Sequence, residues 1–141
     1  MKNKEVNIPK PILIIGKGPS GKSFLAKNIS CAFLNPITLI GKGILNRGSL
    51  MFSSVQEDTD LIIIDDVPHK DLMEVASSCM WGIYVDRIGK IGYETNKPQM
   101  IITADIDEED IDNRIKSGFR IIKTSIDNSD GCNPIFYKKE L

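Results

Sequence analysis

Gly16-Lys-Gly-Pro-Ser-Gly-Lys-Ser23 is the stretch on which the reading of this chain turns. It satisfies the pattern GxxxxGK[ST], in which successive backbone N–H groups converge on an anion and glycines let the backbone wrap closely around phosphate. The pattern carries weight only between a strand and a helix, and both flanks comply. Ile12-Leu-Ile-Ile15 before it is a continuous β-branched run, as expected of a strand covered on both faces. After it, Lys22 to Phe33 places Phe24, Leu25, Ile29 and Ala32 at helical spacing. Such a helix adds its positive N-terminal end to the anion site. The expected nucleotide contacts are Gly16, Lys17, Gly18, Pro19, Ser20, Gly21, Lys22, Ser23 and Phe24. Lys22 would reach the β- and γ-phosphates of ATP, and the Ser23 hydroxyl would sit on Mg2+.

Downstream, short apolar runs alternate with helix-like segments, the pattern of a mostly parallel α/β sheet. Ile37 to Ile40, Leu61 to Ile64, Gln99 to Thr103 and Phe119 to Lys123 read as further strands, with Ile135 to Tyr137 as an optional addition. Helices are expected over His69 to Ser78 and Asp107 to Lys116, the second with Gly118 as its C-cap. The glycines and alternating Ile83 and Val85 of Trp81 to Glu94 predict a hairpin turning near Ile88 to Lys90. The fold class is therefore α/β: one P-loop NTPase domain over residues 1–141. It is expected to have five core strands, helices on both faces and a hairpin before strand 4.

Composition is compatible with this and narrows it. The 141 residues suit one domain, and 41% hydrophobic with 26% charged residues is ordinary globular composition. A formal net charge of −1 excludes a protein that coats nucleic acid or anionic membrane by bulk charge. No apolar run approaches the roughly 20 residues of a membrane span, and the first residues lack a signal-peptide pattern. Cys31, Cys79 and Cys132 show no CxxC spacing and read as reduced thiols, so a soluble cytoplasmic protein is expected. His69, the single histidine, reads as a surface residue at a helix start.

The second chemical motif is Leu61-Ile-Ile-Ile-Asp65-Asp66. A buried strand beside the first would deliver Asp65 to Mg2+, and Asp66 could orient the attacking water at the γ-phosphate. Asp66 can equally cap the following helix. A doubled acid in this place favours an ATPase that activates water over a small-molecule kinase, whose arginine-bearing lid is not found in the sequence.

From about residue 10 to 123 the order of features resembles the superfamily 3 helicases, AAA+-related replication ATPases of small DNA viruses, phages and plasmids. Gly16 to Ser23 and Leu61 to Asp66 match the first two motifs of that family. Tyr84-Val-Asp-Arg-Ile-Gly-Lys90 is similar to its DNA-contacting hairpin, and Lys97-Pro-Gln-Met-Ile-Ile-Thr-Ala-Asp105 to its sensor strand. Asp112-Asn-Arg114 resembles the arginine that follows the sensor. The resemblance implies a core strand order of 5-1-4-3-2 with the acidic strand beside the first, and a ring-shaped homo-oligomer or a partner replication protein. It also implies single- or double-stranded DNA contacted through Arg87 and Lys90, and Arg114 reaching the neighbouring subunit's γ-phosphate. The local alternative for Arg114 is an ion pair with Asp110 or Glu109.

Two departures stand out. The family's sensor ends in Asn, which can donate to phosphate, whereas Asp105 here can only accept and repels when ionised. Thr103 then becomes the candidate sensor. The chain also lacks room for the family's oligomerisation bundle. Besides the ATPase, two readings remain: a nucleotide-dependent switch with little turnover, and a small-molecule kinase.

Overall fold

Continuous β-branched runs suit strands that bury both faces, as in a parallel sheet between helices. The computed structural model describes residues 10–18, 20–50, 54–80, 84–87, 90–94, 98–127 and 135–141. In it, β1 (Ile12–Ile15), β2 (Pro36–Ile40), β3 (Leu61–Asp65), β6 (Gln99–Ala104) and β7 (Arg120–Asp127) run parallel in the order β2-β3-β6-β1-β7. This is the expected order. A further strand, β8 (Ile135–Glu140), extends it antiparallel to β7. The hairpin strands β4 (Tyr84–Arg87) and β5 (Lys90–Glu94) form a separate two-stranded sheet.

Period-two alternation divides the core. Leu13, Ile15, Ile62, Ile64 and Ile102 point to one face, where Leu72, Val75 and Ala76 of α2 (His69–Met80) and Ile115 of α3 (Asn113–Gly118) cover them. Ile12, Ile14, Leu61, Ile63 and Ile101 point to the other, under α1 (Lys22–Ser30). Full burial of such a side chain contributes roughly 1.5–3 kcal/mol.

Four expectations need correction. The acidic strand β3 does not flank β1, because β6 pairs with both and lies between them. The helix after the phosphate loop ends at Ser30, so Ala32 lies past its end. Its sheet-facing stripe is Leu25, Ala26 and Ile29, whereas Phe24 is 66% exposed. The segment from Asp107 to Lys116 is not one helix. A 3-10 turn over Glu108–Asp110 is followed by an extended Ile111, which buries its side chain, and Asp112 then starts α3 afresh by accepting from Arg114 N. Nor does Gly118 provide a left-handed cap: it is the last residue of α3, and the extended Phe119 caps it.

Other expectations are met. His69 is exposed at the start of α2. Cys79 is buried, which pushes its thiol up to about 12 and makes it inert, while Cys31 is exposed. The antiparallel register of the expected hairpin reaches Arg87 opposite Lys90, on either side of Ile88 and Gly89. Those two residues, with Pro19, Trp81, Lys97 and Cys132, lie outside the described residues. No helix among the described residues is long and apolar enough to cross a membrane.

Candidate nucleotide site

Because β1, β3 and β6 are parallel neighbours, their C-terminal ends bring the phosphate loop, the Asp65-Asp66 pair and Asp105 to one edge of the sheet. Ligands of open α/β sheets bind outside that edge.

The loop is held from below. The Thr124 hydroxyl on β7 is 2.8 Å from the Ser20 hydroxyl and 3.2 Å from the Ile15 carbonyl oxygen, to which it donates. Gly16 sits so close that a Cβ there would lie 2.6 Å from Thr124 Oγ1 and 2.7 Å from its carbonyl oxygen. Gly21, at φ 87°, turns the chain into α1 with a backbone conformation that other residues rarely adopt. The loop therefore needs glycine at these two points on steric grounds.

Lys22 starts α1 and is buried. Its ammonium donates to the Gly18 carbonyl at 2.7 Å and to the Ser20 hydroxyl at 3.4 Å. Among the described residues no carboxylate pairs with it, so the loop holds an uncompensated positive charge directed into its own mouth.

Opposite the loop, one oxygen gathers two hydroxyls. Asp65 Oδ1 accepts from Ser23 Oγ at 2.8 Å and from Thr103 Oγ1 at 2.6 Å. Thr103, almost fully buried on the intervening strand, also accepts from Asp66 N at 2.8 Å. It thus fixes both acids in position. Asp66 has a φ of 60°, a left-handed conformation that Asp tolerates better than most residues. Gly41 packs behind this turn. Its N–H donates to the Asp65 carbonyl at 2.6 Å, and a Cβ there would lie 2.7 Å from that oxygen.

Asp105 approaches from the end of β6, where its Oδ1 accepts from Gly18 N at 3.0 Å. Two residues on, Asp107 pairs with Lys17 at 3.0 Å, holding that ammonium above its ordinary range. The acidic segment after β6 is thus laid against the phosphate loop.

Arg114 is not brought into this group. It forms an exposed, two-pronged pair with Asp112, at 3.0 and 3.1 Å, rather than with Asp110 or Glu109. The Arg87 and Lys90 backbones lie on the separate hairpin sheet, whose strand β4 rests against the 3-10 segment Ile44–Leu50. Three contributors were not foreseen from sequence: Thr124, Asp107 and Gly41. The only available signal was the glycine immediately after the second strand, which hints at a close backbone approach.

The architecture is shared with a known structure. The crystal structure of a JC virus (JCV) helicase, bound to a thiazolopyridine acetamide compound, is similar with a TM-score of 0.62. The two are 20% identical, the likeness covering 84% of this chain and 37% of the helicase chain. No protein-family model matches this sequence, and no curated protein matches it. The chain therefore has a fold like that of a viral helicase domain, an α/β P-loop-type architecture spanning little more than a third of that helicase's length.

Proposed function

We propose that this chain is a minimal helicase-like ATPase core, of the superfamily 3 kind, that binds ATP with Mg2+ and hydrolyses it. The carrying observation is the convergence of Ser23 and Thr103 on Asp65 Oδ1, across from a phosphate loop with a buried, unneutralised Lys22.

The donor set suits the metal. Mg2+ takes oxygen ligands, keeps several waters and is held by one or two protein groups plus phosphate. Ser23 Oγ and Asp65 Oδ1 are such a pair, and among the described residues no cluster of three His, Cys, Asp or Glu side chains offers a protein-only cage. Held there by Ser23 and Asp65, Mg2+ would supply positive charge to neutralise the phosphates.

The chain's own groups do the rest. The loop N–H groups and Lys22 hold the phosphates. Asp66, fixed by Thr103, accepts a hydrogen bond from the attacking water and orients it. Release of Arg114 from Asp112 would let it serve a neighbouring γ-phosphate in a ring, with the hairpin residues Arg87 and Lys90 toward DNA.

A second reading, a nucleotide-dependent switch with slow turnover, is favoured by one contact. Asp105 occupies the Gly18 N–H that a phosphate needs, and an ionised carboxylate there repels the incoming anion.

Phosphate release with Mg2+–ATP, with and without single-stranded DNA, tests the proposal. DNA-stimulated release that is lost in Lys22→Ala and Asp66→Asn is expected. Tight ATP binding without release would move the assignment to the switch. A mass measurement in solution that finds only monomer with ATP and Mg2+ would remove the ring.

A further inference from the structure

On the face of the sheet that packs α2 and α3, a cavity of about 510 Å3 lies between α3 and the end of β8. Its floor is Ile111, Phe119 and Ile121, all three anchored in the hydrophobic core. Leu141 lines it too. Its N–H donates to the Ile121 carbonyl at 2.8 Å, yet the residue stays 49% exposed. The volume falls within the roughly 300–1,000 Å3 of a small-molecule site, and the apolar floor is already built.

The charges around this cavity are not balanced from within. Lys116, in the last turn of α3, and Lys139 of β8 line it, and Lys123 is the cross-strand partner of Lys139. Directly opposed residues of an antiparallel pair share a face, and like charges so placed repel. None of the three lysines has an ion pair among the described residues. Two acidic side chains line the cavity. Arg120 engages Glu140 at 2.8 and 3.1 Å, which leaves Glu108 as the unpaired one against three ammonium groups.

From this we infer that the cavity binds a small organic carboxylate with an apolar body. The body rests on Phe119, Ile121 and Leu141, and the carboxylate turns toward Lys116, Lys139 and Lys123. The inference is independent of the nucleotide reading, since none of these residues belongs to the phosphate loop or the Asp65-Asp66 turn. Lysines on an edge strand such as β8 also discourage pairing with another strand. Lys138 and Lys139 would share that role equally. They differ toward the cavity, because Lys138 lies on the opposite face of the sheet, beside α1. The two neighbours therefore separate ligand binding from edge protection.

The probes are decanoate, octanoate, decylammonium and acetate, each titrated calorimetrically into the full chain below its micelle concentration. Decanoate is expected to bind one to one and roughly 15-fold tighter than octanoate, since each buried methylene is worth about fourfold. Decylammonium has the same body and the opposite charge, and should bind about tenfold more weakly or worse. Acetate should not bind measurably. Lys116→Glu and Lys139→Glu, both at exposed positions, should each weaken decanoate about three- to tenfold. Lys138→Glu should leave it unchanged. Lys139→Glu should also raise the thermal midpoint, because an attracting pair with Lys123 replaces a repelling one, so its lost binding is not the result of a damaged fold. Equal affinity for decanoate and decylammonium would overturn the inference. So would equal losses in Lys138→Glu and Lys139→Glu, which would leave only a non-specific basic edge. Absence of decanoate binding to the unaltered protein would overturn it outright.

Discussion

Two aspartates meet the phosphate loop from neighbouring strands, and they do opposite things. Asp65, at the end of β3, accepts from Ser23 and Thr103 and so holds in place the hydroxyl a metal would need. Asp105, after β6, accepts from Gly18 N and so uses up a donor that a phosphate would need. Both are carboxylates and both accept from this loop. What separates them is the atom they engage: a hydroxyl can serve a carboxylate and a cation together, since it has one proton and two lone pairs, whereas a backbone N–H has one proton for one acceptor. At the proposed nucleotide site the first acid would assist assembly and the second would compete with the phosphate.

Removing each acid should therefore move nucleotide binding in opposite directions, and the larger effect belongs to Asp65. Asp65→Ala is expected to lower Mg2+-dependent turnover by about 10²–10³, the usual loss when one preorganised electrostatic group is removed. Stability should also fall by about 1–3 kcal/mol, because the buried Thr103 hydroxyl loses its acceptor. Phosphate-release kinetics and urea unfolding measure the two effects. Undiminished turnover would mean that the convergence of hydroxyls on this oxygen is only structural.

The support behind Asp65 can be broken without touching a charge. Gly41→Ala places a methyl against the Asp65 carbonyl, the Asp66 carbonyl carbon and Val67 Cα, all of them backbone atoms that cannot swing aside. Overpacking of this kind costs about 1–3 kcal/mol. It should shift the Asp65-Asp66 turn, lowering kcat more than it weakens ATP binding. Equal changes in kcat and Kd would place the damage in the loop instead.

Asp105→Asn should go the other way. Replacing the carboxylate by an amide removes the repulsion and restores a donor, and ATP affinity is expected to rise about three- to tenfold, discounted for the contact's exposure. If Asp105 also slows turnover, kcat rises with affinity. If affinity falls instead, the Gly18 contact preorganises the loop and the competition argument fails.

The asymmetry between these acids also marks the limit of what the sequence could convey. Leu61 to Asp66 and Gly16 to Ser23 were legible because continuous apolar runs and a fixed glycine spacing reflect local rules of strand, turn and helix. The strand order followed from the resemblance and proved correct. That order sets β6 between β3 and β1, and with it Thr103 between the two motifs. Contacts such as Ser20 with Thr124 join residues 104 positions apart and leave no local trace. The acidic segment misled for a related reason. Its residues favour a helix start, but the need to bury Ile106 and Ile111 breaks it into two pieces, and Asp112 becomes the cap. Helical propensity is a weak prior that burial overrides.

Asp112 offers the smallest effect and a control for the comparison. Its carboxyl is held below the ordinary 3.8 by the Arg114 side-chain hydrogen bond, then by the Arg114 backbone N–H. A carboxyl whose folded value is depressed adds stability above its unfolded value, and that contribution is lost as pH falls through the folded value. Acid unfolding of the wild type should therefore have a component below about pH 4 that is absent in Asp112→Asn. The group is exposed, so the difference should be a minor shift in the acid limb, weakened further by salt. Arg114→Ala should diminish the same component by removing the side-chain bond while leaving the backbone cap. If mixing Arg114→Ala with Lys22→Ala protein restores part of the ATPase, Arg114 serves a neighbouring site in addition to this pair. Recovery of activity together with an unchanged acid limb would mean that the Asp112 contact is not held in solution, and that Arg114 is already free to act between subunits.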